Sequence, residues 1–191
     1  MSARLKAAAI RVRDSRDADM PRIHAIYAHH VSTGLGSFEE VPPDLAEMMR
    51  RRADLLAKGL PYLVAETDDP AVPDGIAGYA YAGPFRPRSA YRYSVEDSIY
   101  VAPEAQRRGV GRLLLDDLVR RCTALGYRQM VAVIGDSANH GSIGVHEAAG
   151  FKKVAHLPAI GLKFGRWIDS VMMQRPLGEG QTTLPVEPTR R

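Results

Sequence analysis

Ser98-Ile99-Tyr100-Val101-Ala102-Pro103-Glu104-Ala105-Gln106-Arg107-Arg108-Gly109-Val110-Gly111-Arg112-Leu113-Leu114 runs from an apolar strand, through a basic loop, directly into a helix. The first turn of a helix carries unpaired N–H groups and a partial positive charge, so such a junction is suited to an anion. Gly109 and Gly111 allow backbone to approach a phosphate, and Arg107, Arg108 and Arg112 add charge around it. A Walker A loop needs Lys and Ser/Thr after its second glycine, but Arg112-Leu113 follow Gly111. A dinucleotide fingerprint needs a third glycine where Leu114 stands. What remains is Gln/Arg-x-x-Gly-x-Gly, from Gln106 to Gly111. With two glycines alone, a charged loop before an ordinary helix would serve as well.

Outward from this junction, Gly109 to Leu125 reads as a helix with Val110, Leu114, Leu118, Cys122 and Leu125 on one side. Asp116–Arg120 and Asp117–Arg121 pair on its exposed side. Met130 to Ile134 is a continuous apolar run, expected of a central strand covered on both faces. A short helix from Ser142 to Ala149 follows, then strands over Phe151 to Ala155 and from Leu162 to Gln174. Upstream, Ala8 to Arg13 reads as a strand, with Asp14 a candidate cap for the helix that carries Met20, Ile23, Ile26, Tyr27 and Val31. Pro42-Pro43-Asp44 starts a second helix to about Ala57, and Tyr62 to Glu66 and Ile76 to Ala82 form a hairpin. Gly83 to Arg92 reads as a loop. The order of elements gives a mixed α/β fold, one sheet with helices on both faces. Residues 1–177 form one domain, and 178–191 have the composition of a flexible C-terminal tail.

The formal net charge is +4, spread without a basic stripe interleaved with aromatics, which favours small anions and argues against nucleic acid. Cys122 is the single cysteine, so no internal disulfide forms and a reducing compartment fits. The patch Ala7-Ala8-Ala9-Ile10 is too short for a signal-peptide core, and no segment approaches a membrane span. A soluble, cytoplasmic protein is expected.

The Gln106–Gly111 loop resembles the diphosphate-binding loop of the GNAT superfamily of N-acetyltransferases. The likeness extends over roughly residues 8 to 176 and is greatest to the phosphinothricin and methionine-sulfoximine acetyltransferases. Its pieces are Tyr91-Arg92-Tyr93-Ser94-Val95-Glu96-Asp97-Ser98-Ile99-Tyr100-Val101, Val131-Ala132-Val133-Ile134-Gly135 and His146-Glu147-Ala148-Ala149-Gly150-Phe151. Gly161-Leu162-Lys163-Phe164-Gly165-Arg166-Trp167-Ile168-Asp169 is the most distinctive. The resemblance implies the GNAT fold, a twisted mixed sheet of six to seven strands, with acetyl-CoA as cosubstrate, a small-molecule amine as acceptor and a homodimeric assembly. It places the pantetheine arm along Ile99, Tyr100 and Val101, and the diphosphate at Arg107 to Arg112, Val110 included.

Glu96 is the candidate general base, because an amine that is largely protonated at neutral pH must lose a proton before attacking a thioester. A solvated glutamate at a strand start is the plain alternative, and Asp97 points to the opposite face of a regular strand. By the resemblance, Asn139 and Ser142 touch the cofactor arm; they also read as a turn residue and a helix cap. His146 matches a histidine of the phosphinothricin enzymes and serves either in proton transfer or in packing. Its segment lacks the second histidine of a zinc helix, so no metal is expected. Cys122 reads as a core thiol, and His29 and His30 as ordinary helix residues. For the acceptor, Phe38, Glu39, Arg86 and Arg88 are candidates, the guanidinium groups because they suit a carboxylate or phosphinate, with plain surface charge as the alternative. Lys163, Phe164 and Trp167 are candidate pocket walls, with core packing as the alternative, and the resemblance also implies that this region can meet a second subunit. The segment Gly36 to Glu40 and the loop Phe85 to Ser89 depart from the enzymes of antibiotic producers, which puts phosphinothricin itself in doubt as the preferred acceptor. Acetylation of a protein amine and a non-catalytic acyl-CoA-binding module are the competing functions.

Overall fold

A computed structural model describes residues 9–185. Strands β1 (Ile10–Asp14), β2 (Tyr62–Thr67), β3 (Ile76–Pro84), β4 (Ser94–Val101), β5 (Gln129–Gly135), β6 (Lys152–Lys163) and β7 (Arg166–Pro176) form one sheet in the order β1-β2-β3-β4-β5-β7-β6. Helices α1 (Met20–Thr33) and α2 (Leu45–Ala57) lie between β1 and β2; α3 (Val110–Ala124) joins β4 to β5, and α4 (His140–Ala148) joins β5 to β6. The pair β4–β5 is parallel, as a helical crossover requires, and the other pairs are antiparallel.

The helices cover both faces. Tyr79 of β3 and Tyr100 of β4 are in register, stack at 5.2 Å and meet Tyr27 of α1, whose ring stands edge-on to Tyr100 at 4.9 Å. Gly78 points the opposite way, toward Val110 of α3, and a Cβ there would lie 2.8 Å from the Tyr100 carbonyl oxygen and 3.2 Å from Val110 Cγ1. The apolar stripe of α1 (Met20, Ile23, Ile26, Tyr27, Val31) is buried as its spacing predicts. On α3 the stripe is Val110, Leu114, Leu115, Leu118, Val119 and Cys122, each large aliphatic side chain contributing about 1.5–3 kcal/mol relative to exposure. Leu125 does not join it: it follows the helix end and is 53% exposed. The expected Asp116–Arg120 pair also gives way, since Asp116 binds Arg112 and Asp117 takes both Arg120 and Arg121.

Three further expectations need correction. Asp14 does not cap α1; it is in β1 and binds Arg121, and the chain makes a 3-10 turn (Asp17–Asp19) before the helix begins. The expected break between the last two strands is filled by a long β6–β7 hairpin, turned by Phe164 and Gly165 at φ 50° and 71°. Two consecutive positive φ values match the twist of the flanking strands. A bulge in β6 is tied by Asp169, whose carboxylate accepts from the Ala159 amide, His156 and Ser137. Third, α4 begins at His140 rather than Ser142, and β3 continues to Pro84. Ala8 lies outside the described residues. Residues 178–185 make turns next to Arg128, which donates to the Gly180 carbonyl and Thr183 Oγ1. Among the described residues no helix is long and apolar enough to cross a membrane.

Gly78→Val should lower stability by about 1–3 kcal/mol, because its side chain must displace backbone oxygen and α3. Urea denaturation checks this; an unchanged midpoint would contradict the close approach of α3 to the sheet.

Candidate functional site

Strands β4 and β5 pair only over Ser94–Asp97 and Gln129–Ala132. Beyond these four pairs Ser98–Val101 and Val133–Gly135 diverge, opening a cleft of about 450 Å³. The Ala102 amide donates to Ala77 O, and Tyr100 is in register with Tyr79, so the main-chain groups of Tyr100 and Ser98 face β3. By alternation, those of Ile99 and Val101 face the cleft.

At the mouth of the cleft α3 begins. Gly109 caps it at φ 81°, a left-handed conformation suited to glycine, with no side chain bonded across the helix start. Leu113 N donates to Gly109 O, so the N–H groups of Val110, Gly111 and Arg112 precede the first intrahelical bond and point out of the helix end. Gly111 fits between Val101 and Val145, where a Cβ would be 3.6 and 3.9 Å from their methyl groups. Arg107 and Arg112 line the cleft, Arg112 also binding Asp116 at 2.7 Å. Arg108 does not line it: its guanidinium is drawn to Asp69 in the turn between β2 and β3. The junction thus offers directed N–H donors and two arginines, an arrangement suited to a diphosphate.

The far wall is α4. Asn139 Oδ1 accepts from Ser142 N at 3.1 Å, so Asn139 caps the helix in place of Ser142, which lies within the first turn; both residues line the cleft. His146 lies deeper, with Nδ1 2.7 Å from Ser142 O and Nε2 3.0 Å from Asp97 Oδ2, and its ring stands edge-on to Phe151 at 5.1 Å. Both side chains of this pair are buried, at 5% and 2% exposure. Burial opposes charge on the imidazole, but the hydrogen bond and field of Asp97 outweigh it and raise its pKa.

Glu96 faces away from the cleft helices, on the tyrosine-lined side with Tyr79 and Tyr81. It is half-buried; burial and then the neighbouring Asp97 raise its pKa, and Arg86 works in the opposite direction. A second cavity of about 240 Å³ lies on this side, lined by Tyr27, Tyr62, Tyr79, Tyr81 and residues of α2.

The acceptor candidates are dispersed. Phe38 lies over Gly161, and Glu39 binds Arg51 at 2.6 Å. Arg86 covers the Phe85 ring at 5.1 Å, while Arg88 is exposed just before a 3-10 turn. Lys163 does not wall a pocket: it is 1% exposed and donates to Gly34 O at 3.0 Å and Ser37 O at 2.8 Å. Its ammonium pins the loop after α1 to β6. Phe164 and Trp167 are also outside both cavities, 55% and 69% exposed on the β6–β7 hairpin.

Two cleft residues escaped the sequence reading. His30 is no ordinary helix residue, for its Nε2 donates to Val101 O at 2.8 Å on the open edge of β4. Its spacing of three from Tyr27 places it beside the buried stripe, a signal that was available. Asp97 points away from Glu96, as strand alternation predicts, and that direction leads to His146. Among the described residues no group of three His, Cys, Asp or Glu side chains could hold a metal ion.

Residues 23–151 match the model of the acetyltransferase (GNAT) family. The chain is 56% identical over 181 residues to a phosphinothricin N-acetyltransferase of Alcaligenes faecalis, covering 95% of this chain and 89% of that protein. It is 38% identical over 179 residues to an L-methionine sulfoximine/L-methionine sulfone acetyltransferase of Pseudomonas aeruginosa, covering 94% and 96%. A GNAT superfamily phosphinothricin acetyltransferase from Sinorhizobium meliloti, solved in complex with AcCoA, superposes with a TM-score of 0.87 at 48% identity, over 93% of this chain and 94% of that one.

Lys163→Met keeps the apolar stem but leaves the Gly34 and Ser37 carbonyls without their ammonium partner. A loss of about 2–3 kcal/mol in denaturant unfolding is expected. A change below about 0.5 kcal/mol would contradict the pinning role.

Proposed function

The chain belongs to the acetyltransferase (GNAT) family, and we propose that it transfers the acetyl group of acetyl-CoA to the α-amine of a small amino-acid-like acceptor of the phosphinothricin, methionine sulfoximine or methionine sulfone type. The observation that carries this reading is the open edge of β4, where Ile99 and Val101 present main-chain groups along a cleft that leads to the start of α3. The amide-bearing pantetheine arm can pair with that edge as a strand would, while the N–H groups of Val110, Gly111 and Arg112, with Arg107 nearby, receive the diphosphate. Asn139 and Ser142 border the same arm from α4.

The acceptor approaches from the face that holds Glu96, and Arg86 and Arg88 attract its acidic group. Glu96 accepts the proton that the amine must lose, directly or through water, and the freed amine attacks the thioester carbonyl without an acyl-enzyme. A half-buried carboxyl with a raised pKa is a stronger base than an exposed one, which supports this role. The buried Cys122 needs no oxidising compartment, in keeping with a cytoplasmic enzyme.

The direct assay follows thiol release from acetyl-CoA with phosphinothricin, methionine sulfoximine, methionine sulfone and a peptide panel. Turnover of the amino-acid analogues is expected. Turnover of peptides alone would transfer the reading to protein acetylation, and cofactor binding without any turnover would leave a binding module.

Glu96→Gln should lower kcat on the order of 10²-fold or more while leaving affinity for acetyl-CoA near wild type. Because Glu96 acts ionised and its pKa is raised above 4.5, wild-type kcat/KM should fall with decreasing pH at a point above that value. Unchanged turnover in the variant would remove Glu96 from the mechanism.

Leu162 and Trp167 are register partners on the β6–β7 hairpin, and with Ile160 and Phe164 they leave an apolar surface exposed. A second copy of the chain would cover it, giving a homodimer. Light scattering should report a dimer for the wild type and a monomer for Leu162→Asp/Trp167→Asp; a monomeric wild type at micromolar concentration would contradict the assembly.

A further inference from the structure

We propose that Asp97 is a positioning residue for the transfer, holding His146 doubly protonated at the floor of the cleft so that the pair supplies a proton to the departing thiolate. The inference rests on the acetyltransferase reading above. It begins with hydrogen-bond chemistry. The Ser142 carbonyl can only accept, so His146 Nδ1, 2.7 Å away, carries a hydrogen. Nε2 faces a carboxylate oxygen at 3.0 Å, and a second proton lies between those two atoms. Asp97 Oδ1 is buried with no hydrogen-bond partner among the described residues. A buried carboxylate satisfied through one oxygen is costly unless a cation accompanies it, and the imidazolium is that cation.

The position fits the chemistry. Asp97 is the last β4 residue paired with β5, so the dyad lies where the two strands separate, and both members line the cleft. Around it, α3 contributes Cys122, whose thiol is pushed up to about 12 by burial and then by Asp97, and which therefore stays neutral. The Phe151 edge closes one side, Glu96 occupies the opposite face of β4, and Arg175 of β7 is engaged by the Ala149 carbonyl at the end of α4. Asp97 is thus the anionic partner of His146 on these elements.

In the transfer, the amine lone pair forms the C–N bond, the C–S bond breaks and its electron pair leaves on sulfur. The proton held between Nε2 and Oδ2 moves to sulfur, giving the free thiol. Glu96 passes to water the proton taken from the ammonium and then accepts the second proton that the nitrogen releases once the C–N bond has formed, and the pair regains a proton from solvent through the cleft. A pin that merely ties α4 to β4 would make the same contact without titrating in the reaction.

The test is Asp97→Asn, compared with wild type and His146→Gln in kcat against pH, together with ¹⁵N NMR of the His146 ring in the cofactor-free protein. Protonated His146 is the active form, so wild-type kcat falls as pH rises past the titration of its imidazole. Removing the carboxylate that raises the imidazole pKa should move this fall to lower pH and reduce kcat at neutral pH on the order of 10- to 100-fold, with KM for acetyl-CoA little changed. His146→Gln should abolish the fall, and the wild-type ring should show both nitrogens protonated at neutral pH. A fall at the same pH in Asp97→Asn, or a neutral wild-type ring, overturns the proposal. If Asp97→Asn fails to fold, the His146→Gln profile and the wild-type ring decide it. Absence of acetyl transfer by the wild type would instead sink the acetyltransferase reading itself.

Discussion

Parallel strands β4 and β5 stay together for four residue pairs and then separate, and the site follows from that separation. Buried main-chain N–H and C=O groups need partners, and an open strand edge is costly inside a protein. β3 satisfies one side of β4 throughout, whereas β5, paired with β7 along all seven residues, meets β4 only over Gln129–Ala132 and leaves that side of Ser98–Val101 unmatched. The protein meets part of the demand itself, with His30 donating to Val101 O. The remaining groups of Ile99 and Val101 form a short template that, in the proposed binding mode, a thin, amide-bearing chain would complete, with the start of α3 at its end for an anion.

The same strand divides two acid groups by simple alternation. Glu96 projects to the tyrosine-lined face and Asp97 to the face covered by α3 and α4. Burial and mutual repulsion raise Glu96, while Asp97 faces an imidazole. Adjacent carboxyl groups in unlike surroundings can take unlike parts in one reaction, one receiving a proton and the other steadying its donor. The separation of the strands also opens the sheet at this point, so an amine from one face and a thioester from the other can meet across it.

Local chemistry was legible in the sequence where a single residue decides it. Gly109 occupies a left-handed cap, Asp44 caps α2, and the stripe of α1 follows its spacing. What escaped depends on partners remote in the chain. The β6–β7 turn places Phe164 at positive φ, a position for which a non-glycine residue gives no warning, and Pro158 interrupts the strand pattern ahead of it. Lys163 belongs to the segment that resembles the family and reads there as a pocket wall; only the folded loop supplies the two carbonyls that hold it inside, where lysines are seldom found. Arg108 belonged to the basic loop by sequence, yet Asp69 draws it away. The Asp97–His146 contact joins residues on a strand and a later helix, so neither local spacing nor composition announces it.

Amide hydrogen exchange at Ile99, Tyr100 and Val101, with and without acetyl-CoA, addresses the open edge most directly. The Tyr100 amide faces β3 and should exchange slowly in both states. Those of Ile99 and Val101 should become markedly slower when the cofactor is added. Equal exchange at both positions in the two states, at saturating cofactor, would mean that the arm does not complete this strand.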